Sequence, residues 1–444
     1  MRLEYKDIRT ALDNLASVTK GVSGNLYAML RFVGDDKLSF CYSDGKISYI
    51  ESVNAVKNAN VVEDNLAETP SIKDIVVEIH TFENKFRLYS SSNVQVDAIN
   101  IVLNEEKNSL ELDGRKYYIV KRNEIDGEPC EPYEEKIYGS RIRTSIVYYP
   151  TDEKSLKFNS TQADYNNIFT LKDSTDNSEQ AENKGWKKLD KAKFISDMNK
   201  LTSTEGATVV VIHPDKKKAV AVGRGYSSVI YIGDNGVKGS IGRGNLVTLT
   251  SILAKIGKDE EVRCAADGKH LKFVTDDERV GICIEKTQTN IQSISSLVKF
   301  ESIDNYDNEY LVFNKAILQD MIKGALTVKT KESVTDLLLS SSDTNVVLRA
   351  LSKSSGSSEE SFEVYSTRAK AKGDDLSNYN DKHMRISLIN LDNILRNCSG
   401  SSVLFSFGHD DEDTTTEENN LIPDFLRIGD IVDGAVKGYY YLCI

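Results

Sequence analysis

Apolar positions along the chain follow two periods. Short runs with apolar residues at alternate places, bounded by Gly, Asp, Asn and Ser, predict strands. Between some of them lie stretches with apolar residues three and four apart, which predict amphipathic helices. In order they make one arrangement that recurs six times: a short strand, a polar capping residue, an amphipathic helix, then two or three strands joined by polar turns.

The first repeat has Met1 to Tyr5 extended, Asp7 as cap, a helix with Ile8, Leu12 and Leu15 on one side, and strands at Leu26–Val33, Leu38–Tyr42 and Lys46–Glu51. The second has a strand at Ile75–Ile79, Thr81 as cap, and Phe82, Phe86 and Tyr89 at helical spacing. Its strands are Val96–Leu103, Ser109–Leu112 and Lys116–Val120, with Asp113-Gly114 as a hairpin turn. The third begins near Trp186, with Asp190 as cap and the stripe Phe194, Met198 and Leu201. The fourth has Asn245 as cap and the stripe Leu246, Leu249, Leu253 and Ile256. The fifth has Asn314 as cap and the stripe Leu318, Met321, Ile322 and Ala325. The sixth has Asn390 as cap and the stripe Leu391, Ile394 and Leu395. Taken as pairs, the repeats predict an α+β chain of three tandem domains at 1–125, 186–300 and 301–444, each with two helices on antiparallel sheets.

Three segments break the rhythm. Residues 126–185 form an insertion with strand-like pieces at Arg143–Tyr149 and Ile168–Leu171 and a polar run, Asp173–Lys184. Asp410–Asn420 reads as an acidic loop and Ser352–Glu360 as a hairpin tip.

Composition narrows the function classes. The 444 residues suffice for three ordinary domains, and 39% hydrophobic with 28% charged content is that of a globular protein. No apolar run approaches the roughly 18 residues of a membrane helix, and the segment Met1–Asp7 has no apolar signal core, so a cytoplasmic protein is expected. The six cysteines include no CxxC and the five histidines are isolated, so no zinc site is predicted. P-loop, GxSxG and HExxH patterns are absent, and neither an enzymatic activity nor a cofactor is expected. The glycine-rich stretches Gly233–Gly236 and Gly239–Gly244 read as turns, and Asp410–Asp413 as a solvated loop.

The net charge of −12 argues at first against a nucleic-acid partner, but where the cations sit matters more than their sum. Each predicted helix carries Lys or Arg off its apolar stripe. These are Arg9 and Lys20; Lys85 and Arg87; Lys188, Lys191, Lys193 and Lys200; Arg243, Lys255 and Lys258; Lys315 and Lys323; and Arg396. Small neutral residues (Asn14, Thr248, Ser251, Gln319, Asn393) and three acids (Asp13, Asp197, Asp320) share those faces. A lysine on the wet side of one helix is ordinary; recurrence in six elements of an acidic chain predicts a basic surface that holds phosphates without reading bases. Lys191, Lys193, Lys255, Lys258 and Lys323 are the foremost candidates, and reversing their charge is expected to leave the fold intact.

At this point the chain resembles the bacterial-type DNA sliding clamp, the β subunit of the replicative polymerase, and its phage counterparts. The likeness is carried by Asp7-Ile8-Arg9-Thr10-Ala11-Leu12 with Lys37–Asp44 at the start, and by Arg385–Leu391 with Tyr439-Tyr440-Tyr441-Leu442-Cys443-Ile444 at the end. The resemblance implies a head-to-tail ring, a homodimer for three-domain chains, with helices facing double-stranded DNA and continuous sheet outside. It also implies a pocket for polymerase and clamp-loader peptides, drawing here on Gly225, Tyr226, Tyr440 and Leu442. Three departures stand out: Gly225-Tyr226-Ser227-Ser228 replaces the family's Gly-His-Arg-Leu, Tyr440-Tyr441-Leu442-Cys443-Ile444 replaces its Met-Pro-Met-Arg-Leu ending, and the 126–185 insertion is foreign to the common pattern. They suggest a divergent bacteriophage version. The alternative is a non-enzymatic, β-rich structural or virion protein.

Overall fold

The computed structural model describes residues 1–20, 27–56, 72–79, 82–83, 97–104, 109–112, 115–121, 134–137, 140–143, 145–148, 164–170, 185–213, 218–232, 237–287, 310–328, 334–342, 345–353, 361–372, 382–408 and 425–443. The first repeat is β1 (Arg2–Glu4), α1 (Tyr5–Val18), β2 (Tyr27–Val33), β3 (Lys37–Ser43) and β4 (Ile47–Asn54). The second is β5 (Ile72–Glu78), β6 (Ala98–Asn104), β7 (Ser109–Leu112) and β8 (Arg115–Lys121), with Phe82 and Glu83 helical; Thr81, Phe86 and Tyr89 lie outside the described residues. The insertion contributes β9 (Glu134–Ile137), β10 (Ser140–Arg143), β11 (Ser145–Tyr148) and a short helix α2 (Asn166–Phe169).

The third repeat is β12 (Lys187–Lys188), α3 (Lys191–Thr202), β13 (Val209–His213), β14 (Lys218–Val222) and β15 (Tyr226–Tyr231). The fourth is β16 (Gly239–Gly242), α4 (Arg243–Lys255), β17 (Val262–Ala266), β18 (His270–Thr275) and β19 (Val280–Glu285). The fifth is β20 (Tyr310–Asn314), α5 (Lys315–Val328), β21 (Val334–Ser342), β22 (Asn345–Lys353) and β23 (Ser361–Lys372). The sixth is β24 (Lys382–Ser387), α6 (Leu388–Asn397), β25 (Ser402–Gly408), β26 (Phe425–Val432) and β27 (Ala435–Cys443). No helix among the described residues is long and apolar enough to cross a membrane.

Within each pair of repeats the opening strands are exchanged. β1 joins β6 of the second repeat, and β5 joins β2 of the first. β12 joins β17, and β16 joins β13. β20 joins β25, and β24 joins β21. Contacts divide the chain into two bodies. The first comprises Met1–Ile195, Asn235–Val237 and Asn245–Lys286; the second comprises Ser196–Asp234, Lys238–Gly244 and Thr287–Ile444. The first body holds an eight-stranded sheet, β12-β17-β18-β19-β4-β3-β2-β5, a five-stranded sheet, β1-β6-β7-β8-β11, and the β9–β10 hairpin. The second holds one sheet of twelve strands, β16-β13-β14-β15-β27-β26-β25-β20-β23-β22-β21-β24.

The predicted stripes are the core. Ile8, Leu12 and Leu15 of α1 are buried, as are Leu246, Leu249, Leu253 and Ile256 along α4. In the second body Leu318, Met321, Ile322 and Ala325 of α5 and Leu391, Ile394 and Leu395 of α6 are all buried. Each of these Leu, Ile and Met side chains contributes roughly 1.5–3 kcal/mol by leaving water. Aromatic pairs reinforce both bodies: Phe194 lies 5.8 Å from Phe273, and Phe313 lies 4.7 Å from Phe405.

Helix starts are where the sequence reading slips. Asp190 and Asn314 cap as expected, accepting from the N–H groups of Lys193 (3.0 Å) and Ile317 (3.2 Å). Asp7 does not cap: α1 begins at Tyr5, so Asp7 lies in the first turn, where its charge still suits the helix dipole. Asn390 lies inside α6, whose cap is Ser387 (3.3 Å to the Asn390 N–H). Asn245 lies inside α4, because the N–H of Arg243 is taken by the Thr208 carbonyl (2.8 Å). Gly239–Gly242 is not a turn but the opening strand of its repeat, paired with β13 from Val209↔Gly242 to Ile212↔Gly239. Its one large side chain, Ile241, is fully buried; a four-residue edge strand needs no more apolar signal than that. Ile168–Leu171 is not strand: Asn166–Phe169 is helical, and Tyr165 and Ile168 enter a core with Met29, Cys41, Ile50 and Val274. A side chain on Gly281 would meet Ile168 Cγ2 at 2.8 Å, so a glycine lets α2 sit there. The runs Asp173–Lys184, Ser354–Glu360 and Asp410–Asn420 lie outside the described residues.

Candidate nucleic-acid interface

The cations divide by what they touch. Three that open helices reach the carboxyl-terminal carbonyls of another helix. The Lys191 ammonium, at the start of α3, donates to the carbonyls of Ile256 (3.1 Å), Gly257 and Glu260 (3.3 Å), just past α4. Arg243 Nε, at the start of α4, donates to the Thr202 carbonyl (2.7 Å) that ends α3. Lys315, at the start of α5, donates to the Cys398 carbonyl (2.8 Å) that ends α6. The last carbonyls of a helix have no partner within it and carry the negative end of its dipole, so a cation there satisfies both demands.

Four further candidates are also engaged. Lys255 donates to the Asp13 carbonyl (2.7 Å) and to Ser17 Oγ of α1. Lys200 sits 3.3 Å from Asp430, which is 1% exposed and also accepts from the N–H groups of Ser399 and Gly400 (2.9 Å each). Arg396 pairs with Asp392 one turn before it, and Lys188 pairs with Glu261 at the surface. The Lys188 ammonium holds the Glu261 carboxyl below its usual range.

Arg9, Lys20, Lys193, Lys258 and Lys323 are exposed on α1, α3, α4 and α5 or just past their ends. Around them the helix faces are small or apolar: Ser196, Asn199, Ser251, Ala254 and Ala316 are exposed, with Val247 and Ile317. Such faces carry few groups able to read a base edge. Asp13 and Asp320 lie on the same sides. Asn14 and Asp197, expected there, are buried, and Asn14 donates to Glu51 (2.8 Å). Lys85 and Arg87 lie outside the described residues. Among the described residues no group of three His, Cys, Asp or Glu side chains could hold a metal ion.

Gly225, Tyr226, Tyr440 and Leu442 do come together, in the joint between β15 and β27, where Tyr226 pairs with Leu442 and Ser228 with Tyr440. The Tyr226 and Tyr440 rings are 6.5 Å apart, and Tyr226, Tyr440 and Leu442 are each at most 2% exposed. Their side chains build the joint and offer no open wall. A side chain at Gly225 would strike the Asn390 amide.

The sequence matches no family model and no curated protein. Solved structures do match. The DNA polymerase III subunit beta from Pseudomonas aeruginosa aligns with 100% of this chain and 98% of its own, at a TM-score of 0.60 and 10% identity. The beta subunit from Thermotoga maritima gives 0.58 at 11% identity, with coverage of 100% and 98%. The DNA polymerase sliding clamp from Caulobacter crescentus gives 0.58 at 13%, with coverage of 100% and 99%. The fold is that of a DNA sliding clamp. At this identity the shared property is the path of the backbone, so side-chain roles in this clamp fold rest on the chain's own contacts.

Sequence reasoning missed the charged residues that cross the joints of the clamp fold. Glu51 on β4 is fully buried and accepts from Arg279 (2.7 Å), Asn14 and Tyr49, while Arg279 also grips Glu260 through two nitrogens. Asp430 does the corresponding work beside β27. The one signal for Glu51 was an acid inside the apolar run Ile47–Val53, where a solvated carboxylate has no place.

Proposed function

We propose that this chain is a non-enzymatic DNA sliding clamp, a processivity factor that encircles duplex DNA and tethers a replicative polymerase. The observation that carries the reading is the six-fold strand–helix–strand repeat with exchanged opening strands, matched end to end by clamps. On this reading the chain has three clamp domains at 1–125, 186–300 and 301–444, with 126–185 inserted, and two copies close head to tail in the cytoplasm of a bacterial host. The exposed Arg9, Lys20, Lys193, Lys258 and Lys323 form the phosphate-facing set, supported by their exposure on helix surfaces with little to read bases. Polymerase and loader peptides bind over the β15–β27 joint at Gly225, with Tyr226, Tyr440 and Leu442 as its buried floor. A closed ring cannot leave sideways, so a few weak phosphate contacts suffice and sliding stays fast. The decisive experiment loads the protein on nicked circular duplex. A clamp stays on the circle through gel filtration and is lost once the circle is cut; equal loss from both overturns the reading and favours a structural protein.

A further inference from the structure

Both joints inside the chain follow one rule. β4, the last strand of repeat one, pairs antiparallel with β19, the last of repeat four, through Ile47–Glu51. β15, the last of repeat three, pairs antiparallel with β27, the last of repeat six, through Tyr226–Ile230. In each, the last strand of an odd repeat meets the last strand of an even one. The ends of β4 and β19 then turn to the opening strand of their own repeat. Leu3 bridges Ala55 beyond β4, and the Thr287 N–H beyond β19 donates to Ser240 of β16 (2.8 Å).

Two last strands remain, β23 of repeat five and β8 of repeat two. β23 has the form of an unused joint. Its end, Ala369–Lys372, pairs with β20 of its own repeat, as the rule requires. Over residues 361–368 its only strand partner among the described residues is β22. β8 is different. β7 lies on one edge, through Arg115–Tyr118, and the insertion strand β11 lies on the other, parallel, from Ser145↔Tyr118 to Tyr148↔Lys121. β11 also runs beside β5, the strand to which the end of β8 would otherwise turn.

We propose that β11 is a self-plug: it occupies the edge of β8 that the β23 strand of a second copy takes when the ring closes, so the insertion withholds closure until β11 leaves. This rests on the ring reading above. The plug is built to be displaced. It offers four residue pairs in parallel register, which is the weaker ladder per residue. The joints already present in the chain are antiparallel and five pairs long. Strand exchange therefore gains hydrogen bonds and alignment, and the barrier is the departure of one short strand. An edge kept covered until its partner arrives also avoids the aggregation that a bare β8 would invite.

The test uses the full chain and reads its self-association by sedimentation equilibrium. Val147→Pro places a residue that strands disfavour in the middle of β11 and leaves the sequence of β8 intact. It should tighten dimerisation by about tenfold or more relative to wild type. A second variant carries Val120→Cys with Val147→Cys, directly opposed across the β8–β11 ladder at a strand spacing a disulfide can span. Oxidised, it should stay monomeric; reduced, it should dimerise like wild type. The proposal is overturned if Val147→Pro dimerises no more tightly than wild type, or if the oxidised pair dimerises as well as the reduced one. Rings that form equally in every variant and stay on nicked circles would remove the plug and leave the clamp reading standing. Absence of association and of circle retention in all of them would remove both.

Discussion

Lys191→Glu separates the two kinds of cation. Its ammonium reaches three carbonyls at the end of α4, two of them at 3.1 and 3.3 Å. A hydrogen bond to a charged group is worth about 1.5–3 kcal/mol when shielded, and a cation at a helix C-terminus about 0.3–1 kcal/mol when exposed. Lys191 is half-buried, so losing the ammonium should cost about 1–2 kcal/mol, and placing a carboxylate against the same carbonyls about 1 kcal/mol more. Lys258, exposed in the same groove, should tolerate Lys258→Glu within about 0.5 kcal/mol. Hydrogen exchange reads the difference locally. Amides in the last turn of α4 should exchange about 30-fold faster or more in Lys191→Glu and at the wild-type rate in Lys258→Glu. On DNA the order reverses. Lys258→Glu should lower the slope of log affinity against log salt by about 0.9 if it neutralises one phosphate, and Lys191→Met should leave that slope unchanged. If Lys191→Glu keeps wild-type exchange in α4 while weakening DNA retention as much as Lys258→Glu, then Lys191 faces phosphate and the helix-end argument is wrong.

Other outcomes follow from buried groups. Arg279→Met leaves the Glu51 carboxylate fully buried without its cation and should destabilise the β4–β19 joint by about 3–5 kcal/mol, read by denaturant unfolding and by exchange in those two strands. Tyr440→Phe removes a buried hydroxyl that has no hydrogen-bond partner among the described residues, so stability should be unchanged or higher by about 0.5–1 kcal/mol; a loss above about 1 kcal/mol would show that the hydroxyl is satisfied. Burial raises the Asp267 carboxyl, but the N–H groups of His270 and Lys269 and the charges of His270 and Lys272 outweigh it and set it below its ordinary 3.8. A carboxyl lowered by folding adds stability that is complete above that value and is lost as pH falls through the folded one, so Asp267→Asn should flatten the fall in melting temperature below about pH 4.

Much of the fold was legible because it is written locally. The stripes Leu318-Met321-Ile322-Ala325 and Leu391-Ile394-Leu395 face inward because helical period fixes which residues share a side. Helix starts were less legible. At α1 and α4 no side chain need mark the boundary, since the Arg243 N–H is satisfied by a carbonyl distant in sequence. Strand exchange was not legible at all: nothing in Arg2–Glu4 says that its partner is Ala98–Asn100. The same non-locality misled the cation reading. Lys191 and Lys193 look alike in sequence, but Lys191 is half-buried against the carbonyls past α4 while Lys193 is exposed.

That distinction bears on how an acidic chain would hold DNA under the proposed clamp reading. The ties of Lys191, Arg243 and Lys315 spend their charge on carbonyls, and those of Lys188, Lys200 and Arg396 on carboxylates. If the phosphate-facing set is the exposed Arg9, Lys20, Lys193, Lys258 and Lys323, open-ended binding to linear duplex must be weak, in the range of about 10⁻⁴–10⁻⁶ M typical of nonspecific contacts, and weaker still as salt rises. A protein that relied on affinity would need more cations than this. A protein that relies on closure needs fewer, because strong phosphate contacts would slow sliding without lengthening residence on a circle. Salt therefore discriminates: raising it from about 50 to 200 mM should abolish binding to short linear duplex while leaving preloaded rings on nicked circles. Loss of both together would mean that affinity, not topology, holds this protein on DNA.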